Sequence, residues 1–306
     1  MDVFKKFDVV IIGGGAAGIS AAFWCDELGL SSIILESEND LGGQLLWTYN
    51  AIKNYLGIEV ENGQELQKIF LKQIEKRSFE IKKSSKITKI DTEKKLVFLE
   101  NEEVLSADFL IIATGIRRRK LNLESEEKFH GRGILRSGKR DAELVEGKKV
   151  CVVGGGDAAL ENALILSEAA ESVTLIHRRK EFRGRSEFIE KVKKEPKITI
   201  LTETEITKII GDESLEALEL KKVAANQTQI YPTDALLLRI GVEPNNELFR
   251  GQLELDKNGY CLIDSHCETS VKNIFAVGDI ANPLAPTISS AVGMGATAVK
   301  TISNRL

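Results

Sequence analysis

Two glycine fingerprints carry the chemistry that this sequence offers most plainly. Val9-Val10-Ile11-Ile12-Gly13-Gly14-Gly15-Ala16-Ala17-Gly18 is an apolar run passing into GxGxxG. Val150-Cys151-Val152-Val153-Gly154-Gly155-Gly156-Asp157-Ala158-Ala159 is a second run passing into GxGxxA. A dinucleotide pyrophosphate needs such a turn. The first glycine lets the chain reverse tightly, the second lets the backbone approach the phosphates, and the third small residue packs the next helix on the strand. Free N–H groups and the positive dipole end of that helix then meet the anion. Gly13, Gly15, Ala16, Ala17 and Gly18 are the candidates at one site, and Gly154, Gly156, Asp157 and Ala158 at the other. Two such turns in one chain point to two dinucleotides and to electron transfer between them.

The strand after each fingerprint distinguishes the two sites. Ser31-Ser32-Ile33-Ile34-Leu35-Glu36 is a strand ending in a carboxylate, about 20 residues beyond the glycines, where an acid accepts hydrogen bonds from a ribose. Glu36 therefore suits an adenosine with a free ribose, as in FAD. The second strand ends instead in His177-Arg178-Arg179, with Arg183 four residues later. A carboxylate there would repel a 2′-phosphate, whereas guanidinium groups grip one, often through two parallel hydrogen bonds. The second site suits NADPH.

These side chains need a scaffold, and the chain is long enough for one. At 306 residues two domains are the natural division. Strand and helix patterns alternate, which favours α/β layers. Residues 8–36 read as a βαβ unit, 62–77 as an amphipathic helix, 86–101 as a hairpin and 107–115 as a strand ending in a glycine turn. Residues 147–179, 198–230 and 234–241 repeat the series, an internal duplication. A further strand and turn at 273–279 and a small-residue helix at about 289–304 come after the second half has closed, so they return to the first domain. The expected fold is α/β, two Rossmann-like, three-layer ββα dinucleotide-binding domains. The second (117–245) is inserted in the first (1–116 and 246–306).

Composition excludes other classes. The net charge of −4 argues against nucleic-acid binding. No apolar run approaches the ~18 residues of a membrane span. Lys5 and Lys6 before an apolar stretch imitate a signal peptide, but the glycine turn inside that stretch identifies a strand and phosphate loop. The four cysteines, Cys25, Cys151, Cys261 and Cys267, form no CxxC and show no metal-ligand spacing, so no metal is expected. A cytoplasmic enzyme is the expectation.

In order and spacing, these residues resemble the low-molecular-weight thioredoxin reductase family of flavoproteins. The markers are Gly13-x-Gly15-x-x-Gly18, Gly42-Gly43-Gln44-Leu45, Ala113-Thr114-Gly115, Gly154-x-Gly156-x-x-Ala159, His177-Arg178-Arg179-x-x-x-Arg183, Gly241-x-x-Pro244-Asn245 and Gly278-Asp279. The likeness covers nearly the whole chain. It implies FAD on the split domain, NADPH on the insert and a homodimer. By the same resemblance Gln44 and Asn54 lie near the isoalloxazine, and Gly43, Leu45, Thr114 and Gly115 line the flavin site. Gly278 and Asp279 take the ribityl and phosphate side, Thr287 and Ile288 begin a helix close to the flavin, and Ile240 and Gly241 join the NADPH site.

The departures matter as much. The family's redox CxxC followed by Asp falls on Ser137-Gly138-Lys139-Arg140-Asp141, with neither cysteine. Asp141 remains a candidate proton donor. The Arg-Gln that the resemblance places before the last helix is Pro286-Thr287 here. Electrons from the flavin must therefore pass to an external acceptor. An acidic one-electron carrier, ferredoxin or flavodoxin, is the leading candidate, guided by Arg117-Arg118-Arg119-Lys120 with Lys139 and Arg140. A small disulfide, a quinone or oxygen is the alternative acceptor. A sensor that binds FAD and NADPH with little turnover is the alternative outside enzymes.

Overall fold

The computed structural model describes residues 4–225 and 227–306. These form two compact units, one built from the chain up to Arg117 with Glu243–Leu306, the other from Arg118–Val242. The crossings thus fall at 117/118 and 242/243, against 116/117 and 245/246 read from the sequence.

The first unit opens with β1 (Lys5–Ile12), α1 (Ala16–Glu27) and β2 (Ser32–Leu35). It continues through α2 (Gly63–Ile74), β3 (Glu80–Lys82), the hairpin β4 (Ile87–Asp91) and β5 (Leu96–Leu99), and β6 (Val104–Ile112). The short strand β7 (Ile116–Arg118) leads out of it. The second unit contains β8 (Ile134–Leu135), β9 (Lys149–Val153), α3 (Asp157–Ala169), β10 (Ser172–Ile176), α4 (Ser186–Lys194) and β11 (Ile198–Leu201). It ends with β12 (Thr204–Ile210), β13 (Ala217–Lys222), β14 (Thr228–Pro232) and β15 (Ala235–Leu238). Then β16 (Val242–Pro244) leads back to the first unit, which closes with β17 (Ile274–Ala276) and α5 (Ile288–Ser303).

In the first unit the sheet order is β3-β2-β1-β6-β5-β4, with β17 also on β6. The edge of β6 is shared: residues 104–106 pair antiparallel with β5, and 110–112 pair parallel with β17. Buried on both faces, the central strands read as continuous apolar runs. Val9 and Ile11 face a core built with α1, α2 and α5, while Val10 and Ile12 face a second core with Phe249, Leu253 and Cys261. The second unit repeats the plan as β11-β10-β9-β15-β8. Val150 and Val152 pack on α3, whereas Cys151 and Val153 pack on a separate three-stranded sheet, β12-β13-β14. Five of these elements lie outside the sequence patterns: the short strands β3, β7, β8 and β16, and helix α4. Helix α4 is short and buries only Val192 among its nine residues, and β8 has just two residues. No helix among the described residues is long and apolar enough to cross a membrane.

Helices α1 and α5 approach closely because small residues face each other. A Cβ at Gly295 would stand 2.6 Å from the Ala17 carbonyl oxygen and 3.0 Å from the Ala21 nitrogen, both backbone. Gly295→Ala should therefore cost about 1–3 kcal/mol, the usual penalty of overpacking, and lower the denaturation midpoint. At Gly293, two residues earlier, the same change meets nothing within 4 Å and should stabilise by about 0.5–1 kcal/mol through helix propensity. Equal midpoints for the two variants would refute this account of the interface.

Candidate functional site

In the first unit β1 ends at Ile12 and the chain turns at Gly13, φ +106°. A Cβ there would lie 2.4 Å from the Ala113 carbonyl oxygen, so the turn closes against β6 only over glycine. A Cβ at Gly18 would lie 1.9 Å from the Gly13 carbonyl oxygen. Gly18 is thus the packing position, behind the cavity rather than on its wall. Gly15 differs: the nearest atom to its Cβ position is Gly43 Cα at 4.0 Å, and Gly15 lines the cavity. Gly43 lies at φ +51°, and the two glycine turns back onto each other through Gly42 N–H donating to the Gly14 carbonyl at 2.8 Å. Helix α1 begins at this point with no side-chain cap, which leaves its first N–H groups for an anion.

The cavity in front of this turn measures about 660 Å³, within the ~300–1,000 Å³ typical of ligand pockets. Gly13, Gly15, Ala16, Ala17, Glu36, Gly43, Gln44, Leu45, Thr114, Gly115, Gly278, Asp279, Thr287 and Ile288 all line it. Several have a mechanical reason to be there. Glu36 is buried and clamps the turn: Oε2 accepts from Gly14 N at 2.8 Å, and Oε1 from Glu38 N at 2.9 Å and Ser37 Oγ at 3.2 Å. A carboxylate offers about four lone-pair sites, so it keeps capacity for a ribose hydroxyl. Gln44 Nε2 donates to the Ile116 carbonyl at 2.9 Å. Thr114 Oγ1 donates to the Asn245 carbonyl at 2.8 Å, and Asn245 Nδ2 returns a bond to the Thr114 carbonyl at 2.7 Å. Thr287 caps α5 in a reciprocal box with Ser290, which points that helix's N-terminus at the cavity.

Asp279 stands apart. It is half-buried on the cavity wall with no hydrogen-bond partner among the described residues, and burial holds its carboxyl above the usual range. A desolvated carboxylate without donors is costly; the hydroxyls of a sugar alcohol chain would satisfy it. The glycine cradle, the spare acceptor capacity of Glu36 and this orphaned carboxylate all fit FAD.

Asn54 does not join them. Ile52 and Val60 pair in an antiparallel bridge and bury, which sends the tip of the loop between them to the surface, and exposed Asn54 lies off the cavity wall. Conversely Ser85, Lys86 and Ile87 line the cavity without any signal in the sequence. The β3–β4 connection brings them there, since Ser85 N–H donates to the Glu36 carbonyl at 2.8 Å.

In the second unit Gly154 repeats the tight approach, with a Cβ position 2.2 Å from the Arg239 carbonyl oxygen and 2.8 Å from Ala159 Cβ. Gly155 is glycine for another reason: the His177 ring lies on it, 2.2 Å from where a Cβ would sit. His177 is buried, stacks on Phe182 at 5.3 Å and donates through Nε2 to the Glu181 carbonyl at 3.1 Å. Burial and the neighbouring arginines lower its pKa. His177 thus holds the loop that carries the arginines. Arg183 N and Gly184 N both donate to the Gly155 carbonyl, and Arg185 closes on Asp157 through its backbone N at 2.7 Å and Nε at 3.0 Å. The segment 178–185 therefore wraps over the start of α3. Gly156 and Ala158 face outward there, and exposed Arg178, Arg179 and Arg183 form no ion pair among the described residues. Ile240 is half-buried and Gly241 lies at φ +100° after β15. Three such guanidinium groups beside an uncapped glycine turn fit a dinucleotide with a 2′-phosphate.

The turn at 137–141 carries no redox group. Asp141 is buried, and its Oδ2 accepts from Arg136 N at 2.6 Å and Ser137 N at 3.0 Å, while Arg140 Nε stands 3.5 Å from Oδ1. The aspartate anchors the turn. All four cysteines are buried and unpaired as disulfides. Burial pushes Cys25, Cys151 and Cys261 up to about 12 and Cys267 up to about 11, which suppresses the reactive thiolate. The expected basic run 117–120 is also thinned. Arg117 is tied to Glu243, Asn245 and Glu247, and Lys120 to Glu127.

A family model described as pyridine nucleotide-disulphide oxidoreductase matches residues 7–295. Thioredoxin reductase of Mycoplasma genitalium is 34% identical over 297 residues, covering 96% of this chain and 93% of that protein. The "34.2 kDa protein in rubredoxin operon" of Clostridium pasteurianum is 32% identical over 295 residues, covering 96% and 95%. Among solved structures, Lactococcus lactis thioredoxin reductase in its FR conformation superposes with TM-score 0.83 at 30% identity, covering 98% of this chain and 100% of that one.

Asp279→Asn tests the flavin site. An acid whose folded pKa is raised weakens the fold as pH rises through its unfolded and then its folded pKa, so at pH 7 the penalty is fully present. The variant without flavin should therefore be at least as stable as the parent at pH 7, with the difference vanishing in acid. It should meanwhile bind FAD at least tenfold more weakly, the loss expected for hydrogen bonds to a charged group at about 1.5–3 kcal/mol. Calorimetric unfolding without flavin and a fluorescence titration with FAD check the two halves.

Proposed function

Because the chain belongs to the pyridine nucleotide-disulphide oxidoreductase family, as an FAD-dependent NAD(P)H oxidoreductase of thioredoxin reductase type, we propose that it passes electrons from NADPH through FAD to an acceptor outside the protein. The observation that carries this reading is the turn 137–141. Where a dithiol would stand it has Ser137, Gly138, Lys139 and Arg140, and every cysteine of the chain is buried elsewhere. A serine hydroxyl cannot exchange with a disulfide.

The residues divide the work. Gly13, Gly15, Ala16 and Ala17 admit a pyrophosphate to the first N–H groups of α1, Glu36 holds the ribose, and Asp279 holds a ribityl hydroxyl. Gly154 and Gly156 admit the second pyrophosphate, and Arg178, Arg179 and Arg183 grip its 2′-phosphate. Ile240 and Gly241 flank that dinucleotide. When bound, FAD would supply hydride acceptance from the reduced nicotinamide and electron delivery to the acceptor. The protein's share is placement and exclusion of water.

The acceptor in this reading is a small acidic one-electron carrier, ferredoxin or flavodoxin. Two things support it. The Clostridium pasteurianum relative is named for a rubredoxin operon, which associates that protein with a redox carrier. The basic side chains Arg118, Arg119, Lys139 and Arg140 are exposed and suit an acidic partner.

Anaerobic stopped-flow mixing tests the proposal. NADPH should bleach the flavin much faster than NADH, and added flavodoxin should reoxidise it over many cycles. Arg178→Ala with Arg179→Ala should reduce the preference for NADPH by about two orders of magnitude or more, since each charged contact is worth about 1.5–3 kcal/mol. A double variant with its preference intact would overturn the 2′-phosphate assignment.

A further inference from the structure

One half-buried guanidinium in the second unit has no ion-pair partner among the described residues. Arg239 comes directly after β15 and is half-buried. Its Nη1 donates to the Leu238 carbonyl at 2.8 Å, and its Nη2 to the Arg136 carbonyl at 3.1 Å and Asn162 Oδ1 at 3.4 Å. No carboxylate lies within ion-pair distance of it among the described residues. A second guanidinium, that of Arg118, converges on the same Arg136 carbonyl at 2.7 Å. Burial, and then the charge of Arg118, push Arg239 down to about 9, against a weaker pull from Asp141.

Arg136, Lys139 and Arg140 lie on the turn 136–141, where Asp141 is the only carboxylate, and its Oδ2 is held by two backbone N–H groups. The turn is pinned in place. Gly138 N–H donates to Asn162 Oδ1 at 2.9 Å, and a Cβ at Gly138 would stand 2.6 Å from that oxygen. Asn162 Nδ2 is fixed in turn on the Ala158 carbonyl at 2.7 Å. The arginines therefore converge on a rigid frame, one that leaves a desolvated cation beside another cation. Burying a charge without a partner is strongly unfavourable, and strained electrostatics of this kind mark sites that a ligand completes.

We propose that Arg239 and Arg118, framed by the turn 136–141, form a binding site for one oxyanion, a phosphate or a carboxylate. The site occupies the stretch of sequence where a dithiol would stand. A planar guanidinium pair offers paired N–H donors matched to such an anion. Two sources of that group are distinguishable: a free small ion, or a surface carboxylate of an acidic redox carrier.

The test starts from the Arg178→Ala/Arg179→Ala/Arg183→Ala variant, which removes the guanidinium groups of the other arginine cluster. Inorganic phosphate is titrated at constant ionic strength, so that screening stays fixed, and the unfolding midpoint is followed. Saturable stabilisation is expected, rising with the logarithm of phosphate above its Kd. Adding Arg239→Leu should abolish that response while leaving the phosphate-free protein at least as stable, since an uncompensated charge has been replaced by an apolar group. Adding Arg118→Ala, at an exposed position, should weaken phosphate binding about tenfold or more. No saturable response in the starting variant, or a response that survives Arg239→Leu, overturns the site.

A second arm rests on the proposed electron transfer to a carrier and uses the parent protein, reduced beforehand by dithionite so that NADPH binding plays no part. Competitive inhibition of flavodoxin reduction by phosphate assigns the oxyanion to the carrier's carboxylate. Unaltered reduction at phosphate concentrations that saturate the midpoint shift assigns the site to a free ion. Failure of the flavin to accept electrons from NADPH would sink the proposed function and leave the phosphate arm standing.

Discussion

The molecule depends on backbone approaching backbone at the carboxyl ends of parallel strands. At Gly13 against Ala113, Gly18 against Gly13, and Gly154 against Arg239, a Cβ position lies 1.9–2.4 Å from a carbonyl oxygen. No side chain survives those distances. Because the turns close this tightly, α1 and α3 start immediately beyond the strand ends, and their N–H groups face outward at the place where parallel α/β sheets receive ligands. The rest of each unit supplies what such a turn requires: a sheet apolar on both faces, a helix layer on one side, and a second layer on the other.

On this shared frame the two sites are separated by charge. Glu36 and Asp279 make the first cavity an acceptor of hydroxyl donors and hostile to further anionic groups beside them. The second turn carries arginines on a loop that His177 holds through Gly155, Glu181 and Phe182, and burial and those arginines lower the His177 pKa. In the proposed reading, a few carboxylates in one unit and arginines in the other decide which dinucleotide binds where.

The two halves of the duplication have also drifted apart. In the first unit the β4–β5 hairpin joins the main sheet through β6, whereas in the second unit β12–β14 form a sheet of their own. The turn 137–141 carries no cysteine. Asp141 and Asn162 hold its backbone, and that hold does not depend on sulfur. A scaffold that fixes a turn by backbone hydrogen bonds leaves its side chains open, and here Lys139 and Arg140 are basic.

The sequence by itself determined the phosphate turns, the acid and the arginines after them, the duplicated α/β order and the absence of a dithiol. Each of these is local: a strand period, a glycine spacing or a residue type at a strand end reports on conformation within a few positions. Tertiary structure decided what depends on distant partners. Ser85 and Lys86 reach the cavity of the first unit only through the pairing of β3 with β2, and Asn54 is turned away by the bridge between Ile52 and Val60. Arg117 and Lys120 are tied to glutamates, some of them more than a hundred residues away. Asp141 becomes a turn anchor, and Arg239 becomes a half-buried cation, because β15 brings it against the carbonyl of Arg136. Burial and pairing are properties of the assembled core, so no pattern within a short window could reveal them.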